Sequence, residues 1–401
     1  MEKRVSVKAF GAWGDNLHDD YEAIQQALDS GAEEIIIPQG IYCISGTLRV
    51  GSNTHICASQ GAKLVMKSQV RRHRNEFLLT NADTEGGNVN IRITGGIWDG
   101  NNQAEQNKKP DDLFEPDGYS GVVLNFAHVN GLVLEHMVIA NPATYYVRMS
   151  WLEHFVIEDI SFLSDRLGWN QDGLHFGGNV RHGCVRDVRA LSYGQTNDDM
   201  IALNADDSIE RIENRDICRA GIEDISFENI FAENCHCIIR MCSITAPIRN
   251  IRFKNVYGGY RHYAINGDAA RYCRTPLFKE EEYPEGVGCI EHIRIENFQC
   301  YPVKTPLASW EGTKGNCSIG LMLEEKIEDF HISGFRFWQA EEGEACIAMQ
   351  MRHVPGARIV ADGREYVTGD KTDVVRIENF QEITISRRED CAGPADAAQK
   401  E

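Results

Sequence analysis

The sequence predicts an all-β protein, a single right-handed parallel β-helix with a short N-terminal capping helix, and three observations lead there. Helical spacing of apolar residues occurs in one segment only, short strand-like runs occupy the rest of the chain, and one phrase recurs along it.

The helix is Asp19 to Asp29 (DDYEAIQQALD), where Tyr21, Ile24, Ala27 and Leu28 fall on one face. Asp19 or Asp20 stands at the N-cap position and Gly31 just past the end. Strand-like runs follow at Glu34–Ile37, Ile41–Ile44, Ile91–Ile93, Leu132–Leu134, Phe155–Ile160, Ile222–Phe227, Ile248–Phe253, Ile290–Ile295, Glu328–Ile332 and Val374–Ile377. The recurring phrase is FVIEDISF, IEDISFENI, IRNIRFKNV, IEHIRIENF and IEDFHISGF. It returns about every 25 to 40 residues, the range of a solenoid whose coils carry variable loops. Each copy alternates apolar residues and then reaches Asn or Gly, which suits a strand ending in a left-handed turn.

One coil of short strands cannot bury its own inner face, so stacked coils must form the core and the ends need caps. The early helix is the natural cap for the first coil. A β-sandwich would instead show Gly/Pro hairpins every eight to twelve residues or so, and NG and DG turns are sparse here. The expected organisation is an N-terminal strand and capping helix over 1–33, the β-helix over 34–388, and a disordered tail over 389–401.

Composition narrows the partners. Hydrophobic residues make up 42% and charged residues 25%, the balance of a well-packed protein. A formal charge of −19 excludes the basic footprint that nucleic acid requires, and it disfavours highly anionic polymers. No stretch reaches the roughly 20 apolar residues of a membrane span. Residues 1–14 lack the apolar core of a secretory signal, so the expectation is a cytoplasmic protein, or a secreted one whose signal has been removed. Thirteen scattered cysteines fit buried reduced thiols better than a disulfide framework. Cys235-His236-Cys237 has no second pair of ligands at metal-site spacing, and neither metal nor cofactor is expected.

FGAWGDNLHDDYEAIQQAL, IPQGIYCISGTLRV and ITGGIWDGNN resemble the entry segments of pectate-lyase-superfamily β-helices, particularly the polygalacturonases of glycoside hydrolase family 28. The resemblance runs from about Val7 to Asn266. NQDGLHF (Asn170–Phe176) and TNDDMIAL (Thr196–Leu203) are similar to that family's Asn-x-Asp-Gly and paired-Asp motifs, which sit on consecutive coils. The resemblance implies catalysis by Asp172, Asp198 and Asp199, with the proton on Asp198 and with Asp172 and Asp199 activating water. Hydrolysis with inversion needs one acid and one or more bases about 6.5–9.5 Å apart, a gap that side chains one coil apart and laterally offset can span. Crowding three acids should raise the proton affinity of one.

Two family elements differ. Arg240 matches the arginine of the Arg-Ile-Lys element, but Met241 and Cys242 follow it, and the Gly-His-Gly motif is replaced by NADDSIERIENRDICRAG. The missing lysine would grip the carboxylate of galacturonan. Candidate substrate contacts are Asn170 of the first motif, His175, which alternates with core positions and so lines the groove, and Arg240. Tyr260 and Arg261 of GGYRHYAIN form a candidate sugar platform, and Tyr146 and Arg148 of NPATYYVRMSW lie about one coil before Asp172. Phe114–Tyr119 and Tyr272–Val287 are candidate groove walls.

The expected partner is an α-linked oligo- or polysaccharide cleaved without a cofactor. A polysaccharide lyase or uronate epimerase on the same fold is the second reading, with Asp206 and Asp207 as candidate calcium ligands. A non-catalytic glycan-binding β-helix is the third.

Overall fold

The computed structural model describes residues 3–67, 76–102, 121–164, 170–191, 196–206, 218–267, 281, 283–284, 286–303, 319–324, 326–338 and 346–387. Alternation builds each strand, and its interruptions build each corner. In Ile248–Gly267, Ile248, Ile251, Phe253 and Val256 are buried while Arg249, Arg252 and Lys254 are exposed. The alternation skips a step at Asn250 and again at Asn255, which have φ of 55° and 57°. The same five-residue spacing of left-handed residues recurs on successive coils at 154/159, 182/187, 224/229, 250/255, 292/297 and 329/334.

A left-handed backbone costs an ordinary side chain about 1–2 kcal/mol, which explains the Asn, Asp, His and Gly at these corners. The asparagines also bond to one another along the axis. Asn297 Nδ2 donates to Asn255 Oδ1, Asn255 Nδ2 to Asn229 Oδ1, and Asn229 Nδ2 to Asp187 Oδ1, each at 2.9 Å.

Parallel pairing then locks the coils in register, so that Ile222, Ile248, Ile290 and Ile327 stack in one inward column. Phe227 and Phe253 stack one coil apart at 4.5 Å and 12°. One coil, Val180–Ala190, lacks the recurring phrase, since Gly183 stands where the other coils carry Ile225 or Phe155. The Phe155 ring fills the space that a Cβ at Gly183 would occupy.

The capping helix spans Tyr21–Leu28 and buries Ile24, Ala27 and Leu28. Asp20 stands at the N-cap position as expected, although its side chain makes no cap bond. The buried Asp20 carboxylate instead accepts from the amides of Trp13 and Gly14, pinning the preceding loop. At the other end the parallel stack closes at Ile347–Arg352, and Ala357–Ala361, Arg364–Val367, Val374–Ile377 and Glu382–Arg387 pair antiparallel across it. A solenoid must block its last edge, and this antiparallel layer does so. The expected tail, 389–401, lies outside the described residues.

Replacing Asn255 separates the two contributions of a corner. Asn255→Gly loses the ladder bonds only, whereas Asn255→Ala also strains the backbone, so urea unfolding should find the alanine variant about 1 kcal/mol less stable than the glycine variant. Equal stabilities would remove backbone strain from the account.

Candidate active site

Register carries the chemistry. Leu174–Phe176 pairs with Val147–Met149 on one side and Ile201–Leu203 on the other, and Asp199–Asp206 pairs onward with Ile222–Ser243. Continued two residues back, that register sets Asp172 opposite Asp199. The Gly173 amide donates to Asp199 O at 2.8 Å, and the Asp199 amide lies 3.4 Å from Asp172 Oδ1. One outward column therefore reads Asp172, Asp199, Cys237, Tyr263. Beside it runs Asn125, Arg148, His175, Ala202, Arg240, Asn266.

The three acids are buried, with Asp172 only 3% exposed. Burial, and then the charges of Asp198 and Asp199, hold the Asp172 carboxyl well above the usual carboxylate range, with partial relief from the Asp199 amide and Arg240. Each of two acids meets an imidazole. His175 Nδ1 lies 2.6 Å from Asp172 Oδ2, and His236 Nδ1 lies 3.1 Å from Asp198 Oδ1. Tyr145 stacks on His175 at 4.4 Å, and His262 stacks on His236 at 4.8 Å. Arg261 donates to Asn234 and Asn197 at 3.2 and 2.7 Å, behind the acid pair.

His236 is the site residue that sequence reasoning passed over. In the sequence it stands between two cysteines, Cys235 and Cys237, whose thiols burial pushes up and keeps protonated. Counting rungs would have found it, since the His236 amide donates to Asp198 O at 3.2 Å from the next coil.

Several expected contacts are corrected. Tyr146 is fully buried against Phe162, and Tyr260 is fully buried in the same core, so neither forms a sugar platform. In the Tyr145-Tyr146 pair alternation sends only Tyr145 outward. Tyr260 follows Val256 and Gly258 at two-residue steps, so alternation sends it inward as well, and the pairing shifts register on either side of it. Arg148 stands in the outward column but is fully buried; its Nε donates to Asn125 Oδ1 at 2.9 Å and its guanidinium lies 5.5 Å from the Phe77 ring centre. Asn170 is a half-buried corner residue with φ of 51°.

Asp206 is buried and accepts bonds from the amides of Ile244, Thr245 and Ala246 and from the Thr245 hydroxyl. It holds a turn and is no open calcium ligand. Asp207, Phe114–Tyr119 and most of Tyr272–Val287 lie outside the described residues. Among the described residues, two groups have ligand atoms within 4.8 Å of one another as a cation site requires: Asp198, Asp199 and His236 in the acid cluster, and Glu153, His154 and His182, mostly exposed.

Comparison with known proteins agrees with the architecture. Residues 4–102 match the family model for rhamnogalacturonase A/epimerase, pectate lyase-like. Among solved structures, an iota-carrageenase complexed to iota-carrageenan fragments superposes with a TM-score of 0.60 at 12% identity, covering 87% of this chain and 90% of that one. The chain folds as a pectate-lyase-like right-handed parallel β-helix. An exopolygalacturonase from Thermotoga maritima gives a TM-score of 0.56 at 14% identity over 95% of this β-helix and 96% of the enzyme. The preneck appendage protein of Bacillus phage PZA is 34% identical over 99 residues, 25% of this chain and 12% of that protein. The match to that relative thus spans about an eighth of its length. Plasmin and fibronectin-binding protein A of Streptococcus pneumoniae is 31% identical over 88 residues, 21% of this chain and 12% of that protein. No described helix is long and apolar enough to cross a membrane.

The raised Asp172 proton affinity links the site to stability. The folded chain holds this proton more tightly than the unfolded one, so stability is full below the unfolded carboxylate value and is lost as pH rises through the folded value. Asp172→Asn should therefore melt higher than wild type at neutral pH, with the difference vanishing in acid. A variant less stable than wild type at neutral pH would contradict the assigned electrostatics.

Proposed function

We propose that this β-helix is a glycoside hydrolase that cleaves an α-linked oligosaccharide by inverting acid/base chemistry at Asp172, Asp198 and Asp199. The observation that carries the reading is the rung register, which brings three buried acids from two motifs together on neighbouring coils. A module that only binds glycan gains nothing from burying like charges together, an arrangement that costs stability.

In this reading Asp198 gives its proton to the leaving oxygen as the glycosidic C–O bond breaks. A water oxygen bonds to the anomeric carbon and its proton passes to the carboxylate side of the cluster. Asp198 and Asp199 offer oxygens within 4.8 Å, closer than the gap that generally admits a water. In this reading Asp172, on the preceding rung, is the base that activates the water. Arg240, 6% exposed one rung beyond Ala202, orients a hydroxyl or a lone carboxylate.

The substrate we infer is a short oligosaccharide with at most isolated uronic acids. Met241 and Cys242 are buried and add no cation beside Arg240, and the net charge of −19 repels a polyanion. Beyond the acids in the same column the residues turn apolar, with Cys237 and Tyr263 packed against Ile319 and Met322.

Asp198→Asn should fold normally and lose at least about a hundredfold in turnover on whichever member of a plant and host oligosaccharide panel the wild type cuts, since general acid assistance is worth about 10²–10⁴. Wild-type turnover in that variant would remove Asp198 from the mechanism, and efficient depolymerisation of polygalacturonic acid would overturn the substrate assignment. The grouping of Asp198, Asp199 and His236 favours one rival, a cation-dependent lyase or epimerase. That rival requires EDTA to abolish activity, whereas the hydrolase should keep its rate.

A further inference from the structure

His175 differs from the other imidazoles near the groove in being enclosed with its acid. The side chains of His175 and Asp172 are 4% and 5% exposed, and Nδ1 to Oδ2 is 2.6 Å, just under the roughly 2.7–2.9 Å of charge-assisted N–H···O hydrogen bonds. Tyr145, from the preceding rung, stacks on the ring at 23°, so the imidazole cannot swing away without losing that contact. Asp172 is faced by Asp198 and Asp199 from the next rung, by Arg240 one rung further, and by His175 from its own strand. His236 addresses Asp198 rather than Asp172.

We propose that His175 is a positioning residue that donates its Nδ1–H to Asp172 Oδ2, orienting that carboxylate toward the attacking water and easing its ionisation. This deepens the hydrolase reading and rests on it for its kinetic consequence, but the pairing itself is a property of the folded protein. Two of the three acids repel charge on Asp172, so an ionised base there needs a donor held close. His175 is that donor on its own strand. Asp172 meets His175 although residues three apart in a regular strand face opposite ways, since Asp172 lies just before the Leu174–Phe176 strand; a Cβ at Gly173 between them would meet Met200 O and the Phe162 ring.

Two measurements test the assignment. In ¹⁵N-histidine NMR of the wild type, His175 should keep Nδ1 protonated across the whole active pH range. An Nε2–H tautomer with bare Nδ1 overturns the proposal whether or not a substrate is known. In kinetics, His175→Ala should lower kcat roughly 10–100-fold, as loss of an orienting partner does elsewhere. KM should stay within about twofold, and the acid limb of the kcat/KM profile should move to higher pH because Asp172 now faces Asp198 and Asp199 unaided. His175→Asn, which retains an N–H donor, should restore much of the limb. A fall in kcat with no movement of the limb, equal in both variants, would make His175 merely structural and overturn the proposal. If the wild type cuts no glycan, the hydrolase reading fails while the tautomer still decides the pairing.

Discussion

The register of one coil on the next is the constraint on which the rest of this molecule depends. Parallel rungs stack about 4.8 Å apart, and left-handed corners five residues apart reset the alternation at the same place on each coil. Side chains far apart in sequence are thereby placed in columns. Asp172 and Asp199 share one column, and Asp198 faces His236 on the next. A slip of one residue would turn the acids into the core and the core into the groove. The asparagine bonds along the corners and the Phe227–Phe253 stack oppose such a slip from outside and inside respectively.

That geometry imposes an electrostatic cost where the columns carry acids. Three buried carboxylates cannot all ionise cheaply, and the groove meets this with two imidazoles and Arg240 rather than with a belt of lysines. Relief is local, so the field of the whole protein remains strongly negative. The same arrangement that poises acids for proton transfer thus selects against a densely anionic chain. It also explains why Asp206, just downstream, is spent on a turn, since four donors satisfy its carboxylate completely.

Much of this was legible in the sequence, for identifiable reasons. Repeated phrases announced the coils because inward Ile and Phe and left-handed Asn recur at fixed offsets; the Val180–Ala190 coil escaped because Gly183 breaks the wording. The acid motifs were visible as short ungapped strings. Side-chain direction was harder to read than register. Tyr146 and Tyr260 looked like groove residues, yet alternation sends both inward. His236 was hidden for the opposite reason, since its partner Asp198 lies 38 residues away and only the stacking of coils brings them together. Asp20 kept its expected place before the helix but used its carboxylate on the loop behind it.

The central claim is that the acid cluster adds water across a glycosidic bond. Cleavage of the preferred oligosaccharide in H₂¹⁸O, followed by mass spectrometry, tests it most directly. The account predicts one ¹⁸O atom in each newly formed reducing end and an unchanged sugar ring. Products carrying a double bond and no ¹⁸O would show elimination in place of hydrolysis and contradict it.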